Sequence, residues 1–202
     1  MSIVYARSNS ETSLVCFFGK NHELREMNYV LILFISLMVQ GANTLFQFSA
    51  NTNPSRWTVV NDGVMGGLSK GRLSISDEGH GIFQGFVSLE NNGGFSLIQH
   101  RFEARNVKKY RALVIRLKGD GKKYQIRVKT DASDYFNYAF NLKTNGSWET
   151  ISIPFNKMIP QFRGRLLNMP PFPGEKMEEV AFLIGNKKAE EFRLEIDKIE
   201  LK

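Results

Sequence analysis

Apolar residues recur at every second position through the middle of this chain, and no other feature narrows its possible folds as much. Leu113, Ile115 and Leu117 alternate with Val114, Arg116 and Lys118. Tyr124, Ile126 and Val128 alternate with Gln125, Arg127 and Lys129, and Phe136, Tyr138, Phe140 and Leu142 with Asn137, Ala139 and Asn141. A period of two puts each set on one face of an extended strand, which predicts half-buried strands and not helices. Turn signals separate the runs. Residues 119–123 are expected to close one hairpin, and Asn145-Gly146 ahead of Trp148 a second. Residues 180–184 and 192–201 complete about nine to eleven short strands. Phe192, Leu194 and Ile196 share a parity that Ile199 and Leu201 break, so a bulge is expected near Asp197. With no amphipathic helix of ten residues and no repeat motif, the pattern predicts an all-β fold, a β-sandwich or jelly roll.

Length and composition fit one such domain. The chain has 202 residues, is 42% hydrophobic and 12% aromatic, and contains sixteen Phe, enough for a substantial core of β character. The N-terminal part reads differently. Residues 29–39 form an uncharged apolar run too short for a comfortable membrane span, followed by Gly41 and Ala42. This predicts a signal peptide cleaved after Gly41, with Met27 as a candidate initiator and residues 1–41 outside a single domain at 42–202. The product is then exported, periplasmic or secreted; an anchor formed by residues 29–39 is the alternative. The only cysteine, Cys16, lies upstream of that run, so the mature domain is expected to hold neither a disulfide nor a thiol nucleophile.

The net charge is +7, and it stays +7 without the first 41 residues because Arg7, Lys20 and Arg25 balance Glu11, Glu23 and Glu26. The basic residues are scattered along strands, as on a solvated face, and predict no nucleic-acid partner. Two glycine-broken segments interrupt the alternation. Trp57 leads into Asn61-Asp62-Gly63-Val64-Met65-Gly66-Gly67-Leu68-Ser69, and Gly85-Phe86-Val87-Ser88-Leu89-Glu90 leads into Asn91-Asn92-Gly93-Gly94-Phe95. Glycine serves where φ is positive or the backbone approaches too closely for a Cβ, so both segments predict shaped loops. Neither is a phosphate loop, since the GxxxxGK[ST] and GxGxxG spacings are absent.

Together these two segments resemble the complex I intermediate-associated protein 30 family. The stretch Phe162-Arg163-Gly164-Arg165 after the strand from Trp148 to Pro154, and the closing run Phe192 to Asp197, agree with the resemblance, which covers residues 45–201. It implies a β-sandwich of the galactose-binding-like type and, in mitochondrial members, a non-enzymatic role in assembling respiratory complex I. A bacterial member is expected here, since no long basic presequence of the transit type is present.

Candidate site residues follow from the loops. Asp62, Gly63, Met65, Gly66, Gly67, Ser69 and Asn92 on the glycine segments, with Arg163 from the Arg-Gly stretch, are expected to form one partner-binding surface, with Asp62 and Arg163 as a bidentate ion pair. Residues 154–176 carry Pro154, Pro160, Pro170, Pro171 and Pro173, which excludes a central strand and predicts a structured loop. Its Phe155 and Phe162 are expected to plug the end of the core. Catalytic signals are poor: HExxH, CxxC and GxSxG are absent, His80 falls in an exposed-looking turn and His100 in a strand. No catalytic residue, metal ligand or cofactor is predicted, although structural calcium is a further possibility. A protein partner is the first expectation. The alternative is a carbohydrate-binding module using Trp57, Trp148, Tyr135 and Tyr138 with Asn91, Asn92 and Asp62, against which both tryptophans have core packing as their commoner fate.

Overall fold

The computed structural model describes residues 43–202. The expected signal run at 29–39, the cleavage position after Gly41, and Cys16 lie outside the described residues. Thirteen strands account for the chain between, more than the alternation alone predicts: β1 (Thr44–Gln47), β2 (Thr58–Asn61), β3 (Lys70–Ile75), β4 (Gly81–Val87), β5 (Ser96–Asn106), β6 (Ala112–Lys118), β7 (Lys123–Lys129), β8 (Asn137–Lys143), β9 (Trp148–Pro154), β10 (Ile159–Phe162), β11 (Arg165–Leu166), β12 (Lys176–Ile184) and β13 (Glu190–Leu201). They form two antiparallel sheets. One runs β3-β4-β13-β6-β9, with β1 also on β13, and the other runs β11-β10-β8-β7-β12-β5-β2.

The alternating residues supply the layer between the sheets. Leu113, Ile115, Leu117, Ile126, Val128, Phe182, Leu194 and Ile196 are all fully buried there. Each contributes about 1.5–3 kcal/mol by leaving water, which makes this layer the main source of stability. The expected bulge is present: the register of β13 against β6 shifts between Ile196 and Lys198, and this returns Ile199 and Leu201 to the core.

Both expected hairpins are corrected. Strand β6 pairs with β9 in one sheet while β7 pairs with β8 in the other, so residues 119–122 and 144–147 are arches that cross between sheets. Turn residues report a chain reversal, and an arch needs the same conformations as a hairpin. The two arches are tied together at Thr144, whose buried hydroxyl accepts from Gly121 N at 3.0 Å and donates to Lys122 O at 3.1 Å. The proline-rich segment also contains more structure than expected, in the form of β10 and the two-residue β11. Pro160 sits in β10 opposite Tyr138, close to the sheet's edge, where a missing N–H costs little. Phe155 does plug the core, packed against Phe172 at 5.0 Å, whereas Phe162 stays half-exposed against Tyr135.

Candidate functional site

The two glycine segments are also a pair of arches. One carries the chain from β2 to β3 and the other from β4 to β5, so each crosses from one sheet to the other. Asp62 joins them. Its Oδ1 accepts from Ser69 N at 3.0 Å, and its Oδ2 accepts from the Ser69 hydroxyl, from Gly94 N at 2.7 Å and from Phe95 N at 3.3 Å. The Ser69 hydroxyl in turn accepts from Ser88 N at 3.0 Å. Next door, Asn61 Oδ1 accepts from Gly71 N at 3.0 Å and from the Ser96 hydroxyl at 2.7 Å, which couples β2, β3 and β5.

Glycine is required around this carboxylate because the backbone must close on it from both sides. A Cβ at Gly67 would stand 2.3 Å from Asp62 Oδ1, and one at Gly93 would stand 2.7 Å from Oδ2. Burial works to raise the Asp62 pKa, but the Ser69 hydroxyl and the amides of Gly94, Ser69 and Phe95 outweigh it and hold the group below its ordinary value. A buried carboxylate with this many donors is an internal anchor, and its oxygens face the protein.

The expected ion pair with Arg163 is therefore corrected. Asp62 follows β2 at one edge of the seven-stranded sheet, while Arg163 lies between β10 and β11 at the other. The Arg163 guanidinium sits over the Phe162 ring at 5.2 Å and is exposed. Of the other expected site residues, Gly66 adopts φ +84° in the loop, Gly63 has open space where a Cβ would stand, and Asn92 is exposed at φ +60°. The side chain of Met65 lies outside the described structure. The loops thus come together without Arg163.

What the arches present outward are residues the sequence reading did not single out. Leu68 and Leu89 neighbour Ser69 and Ser88, which are hydrogen-bonded to each other, and Phe86 stands opposite Lys70 in the ladder; all three are close to half exposed. A groove of about 560 Å³ continues from Phe86 past Lys70, Arg72, Gln84 and Arg193. Arg193 is held by Glu195 at 3.1 Å and Lys122 by Asp120 at 2.8 Å, which leaves Lys70 and Arg72 as its unpaired cations among the described residues. Exposed leucines beside a glycine motif were the available signal, but half-exposed apolar residues are common on any surface.

The groups expected for a sugar site do not assemble. Trp57 is buried in a cluster with Phe46, Phe48 and His100. Tyr138 is in the core, and Trp148 is covered by Arg116 at 4.8 Å and by His80 at 4.5 Å. Only Tyr135 of the four aromatic rings is exposed. His80 is accordingly a packed residue and not a solvent-facing one. His100 Nδ1 donates to Arg56 O, 2.8 Å away, inside the core. Among the described residues no cluster of three or more His, Cys, Asp or Glu side chains could hold a metal ion, and no helix is long and apolar enough to cross a membrane.

Comparison with known proteins places this architecture. Residues 46–196 match the family model described as complex I intermediate-associated protein 30. A relative from Drosophila melanogaster, "Complex I intermediate-associated protein 30, mitochondrial", is 26% identical over 184 residues, covering 79% of this chain and 62% of its own length. The chain thus spans under two thirds of that relative. Among solved structures, the Family 11 carbohydrate-binding module from Clostridium thermocellum, in complex with a β-1,3-1,4-mixed-linked tetrasaccharide, superposes with a TM-score of 0.56 at 16% identity over 79% of this chain and 94% of its own. The agarase AgWH50C gives a TM-score of 0.51 at 9% identity, with 79% of this chain and 24% of that one covered. These likenesses show the fold, a β-sandwich of the galactose-binding-like type. With the two glycine arches inside the matched span, the chain belongs to the complex I intermediate-associated protein 30 family.

Proposed function

We propose that this chain is a non-enzymatic docking module that binds a partner protein in an assembly role. The observation that carries this reading is the outward set of Leu68 and Leu89, on arches that the Asp62 carboxylate ties together, with Phe86 on strand β4. Apolar side chains fixed on a stiff support lose little entropy on binding, which favours them as contact anchors. Lys70 and Arg72 rim the set, so the partner segment is apolar with acidic flanks. Membership in a family whose mitochondrial relative is named for association with an intermediate of complex I supports the same reading. The module works outside the cytoplasm, after cleavage behind Gly41, and intact mass of the exported protein tests that part.

Its central test is reconstitution. Partners recovered with the tagged chain from its own cells are purified and titrated against wild type and a Leu68→Asp/Leu89→Asp variant with an unchanged melting curve. The reading expects affinity to fall at least tenfold, as for loss of an interface anchor. Retained affinity in the folded variant rejects it.

A further inference from the structure

The outward face of the seven-stranded sheet holds polar groups whose hydrogen-bonding capacity the fold leaves unspent. Arg127 on β7 lies between Ala139 on β8 and Ala181 on β12, and both alanines are buried, so its side chain crosses a floor of methyl groups. Its Nε donates to Gln125 Oε1 at 2.6 Å, and Gln125 Nε2 donates to Asn141 Oδ1 at 3.0 Å. The nearby carboxylate of Glu179 is taken by Arg101 at 2.8 Å. A guanidinium has five N–H donors, and the other four of Arg127 meet no acceptor among the described residues. Burial pulls the Arg127 pKa down to about 10 against the attraction of Glu179, which leaves it a full cation at neutral pH.

One row along the sheet, Asn137 on β8 faces Gln161 on β10. Asn137 Oδ1 is buried and accepts no hydrogen bond. Gln161 is only 7% exposed, and its amide has no partner among the described residues. Arg127 and Asn137 are diagonal neighbours across β7 and β8, about 7–8 Å apart at the backbone, and Arg127 Nε turns toward Gln125, away from Asn137, so the guanidinium and the amide pair take different sugars of one chain. Exposed Tyr135 borders the amide end, edge-on to Phe162 at 5.3 Å. At the far end, Gln125, Asn141 and Leu183 line a cleft of about 330 Å³.

We propose that this face binds an acidic oligosaccharide, with a uronate carboxylate held in the fork of Arg127 and sugar hydroxyls hydrogen-bonded to Asn137 Nδ2 and the Gln161 amide. A planar, two-oxygen anion is what an unspent guanidinium fork matches. The neutral amide of Gln161, without a partner among the described residues, takes a sugar hydroxyl, which an inorganic anion or a bare carboxylate does not offer. A peptide strand is the poorer match, because the backbone groups of this face are already paired across the sheet. The site is separate from the loop surface of Leu68 and Leu89 and does not depend on it.

The test is calorimetric titration of the full chain with defined oligogalacturonates, and with the same oligosaccharides after reduction of their carboxyls to neutral galactose units. Binding of the acidic form is expected, weaker by at least tenfold once the carboxyls are removed. Arg127→Lys keeps the charge and loses the fork, which is expected to cost roughly tenfold, and Asn137→Ala and Gln161→Ala several-fold each. Leu68→Asp/Leu89→Asp leaves this binding unchanged. Should an Arg127 variant melt early, the two neutral amide variants carry the test alone. No binding at millimolar ligand, equal binding of the reduced form, or salt-sensitive binding indifferent to Asn137 and Gln161 each overturns the proposal. So does tighter binding of a polyglutamate peptide that depends on Arg127 and Asn137.

Discussion

Replacing Asp62 by Asn changes almost nothing in shape and removes the charge that four donors converge on. In the native loops Oδ1 takes one amide, and Oδ2 takes a hydroxyl and two amides. An amide side chain keeps one acceptor oxygen and turns an NH2 group toward donors on the other side. If its oxygen stays with Gly94 and Phe95, Ser69 N loses its acceptor, and in the flipped rotamer the Gly94 and Phe95 amides lose theirs. Hydrogen bonds to a charged group are worth about 1.5–3 kcal/mol and an unsatisfied buried donor costs about 1–3 kcal/mol, so the expected loss is about 3 kcal/mol at pH 7. The Ser69 hydroxyl rotates and absorbs part of the mismatch, which argues against a larger figure.

The pH dependence tests the same account independently. The folded-state pKa of Asp62 is depressed, so in acid the unfolded chain takes up a proton that the folded chain refuses. Its stabilisation is fully present above the ordinary carboxylate value of 3.8 and is lost as pH falls toward and through the folded value. Urea melts of wild type and Asp62→Asn from pH 7 to pH 3 should therefore converge in acid, with equal m-values. A difference below about 0.5 kcal/mol at pH 7, or one that persists unchanged to pH 3, refutes the anchor assignment.

Three further outcomes follow from the same geometry. Gly67→Ala should destabilise by about 2 kcal/mol or more through the clash at Asp62, while Gly63→Ala, with open space around it, should stay within about 0.5 kcal/mol; urea midpoints compare them. A mutant cycle of Asp62→Asn with Arg163→Gln should be additive, because the two lie at opposite sheet edges, whereas Asp62→Asn with Ser69→Ala should show a coupling above about 0.5 kcal/mol. Burial, ahead of the repulsion from Arg56 and against its carbonyl hydrogen bond, holds the His100 pKa below 6.5, so stability should decline as pH falls below that value, and His100→Gln should flatten the decline in melts between pH 7 and pH 5.

Strands and their inward faces were legible because a period of two is a property of neighbouring residues. Leu113, Ile115 and Leu117 needed no partner to reveal their side. Which strand sits beside which was not legible, because Asn145-Gly146 encodes only a reversal, and whether the chain returns in the same sheet or crosses depends on where β6 and β9 pair. The glycines mark Asp62 as special, whereas the Gly164-flanked Arg163 suggests a charged partner that the fold does not supply. Backbone amides carry no sequence signal, so nothing in the sequence marks Gly94 N and Phe95 N as the partners of Asp62. Arg127 gave still less warning, as an outward basic residue in an alternating strand looks like any solvated one.

The inward chemistry of the glycine arches bears on how loss of a partner is interpreted. The most recognisable residues, Asp62, Gly67 and Ser69, spend their chemistry inward, closing two arches around a carboxylate. Substituting them lowers stability, and any binding that depends on the arches falls with it whether or not the residue touches a partner. Leu68 and Leu89 stand on the same loops with their side chains in water, so their replacement by polar residues leaves the anchor intact. A partner lost from both classes of variant, with melting changed only in the first, locates contact at the leucines and support at Asp62. A partner lost only when melting falls would instead mean that the arches shape some other surface of the sandwich.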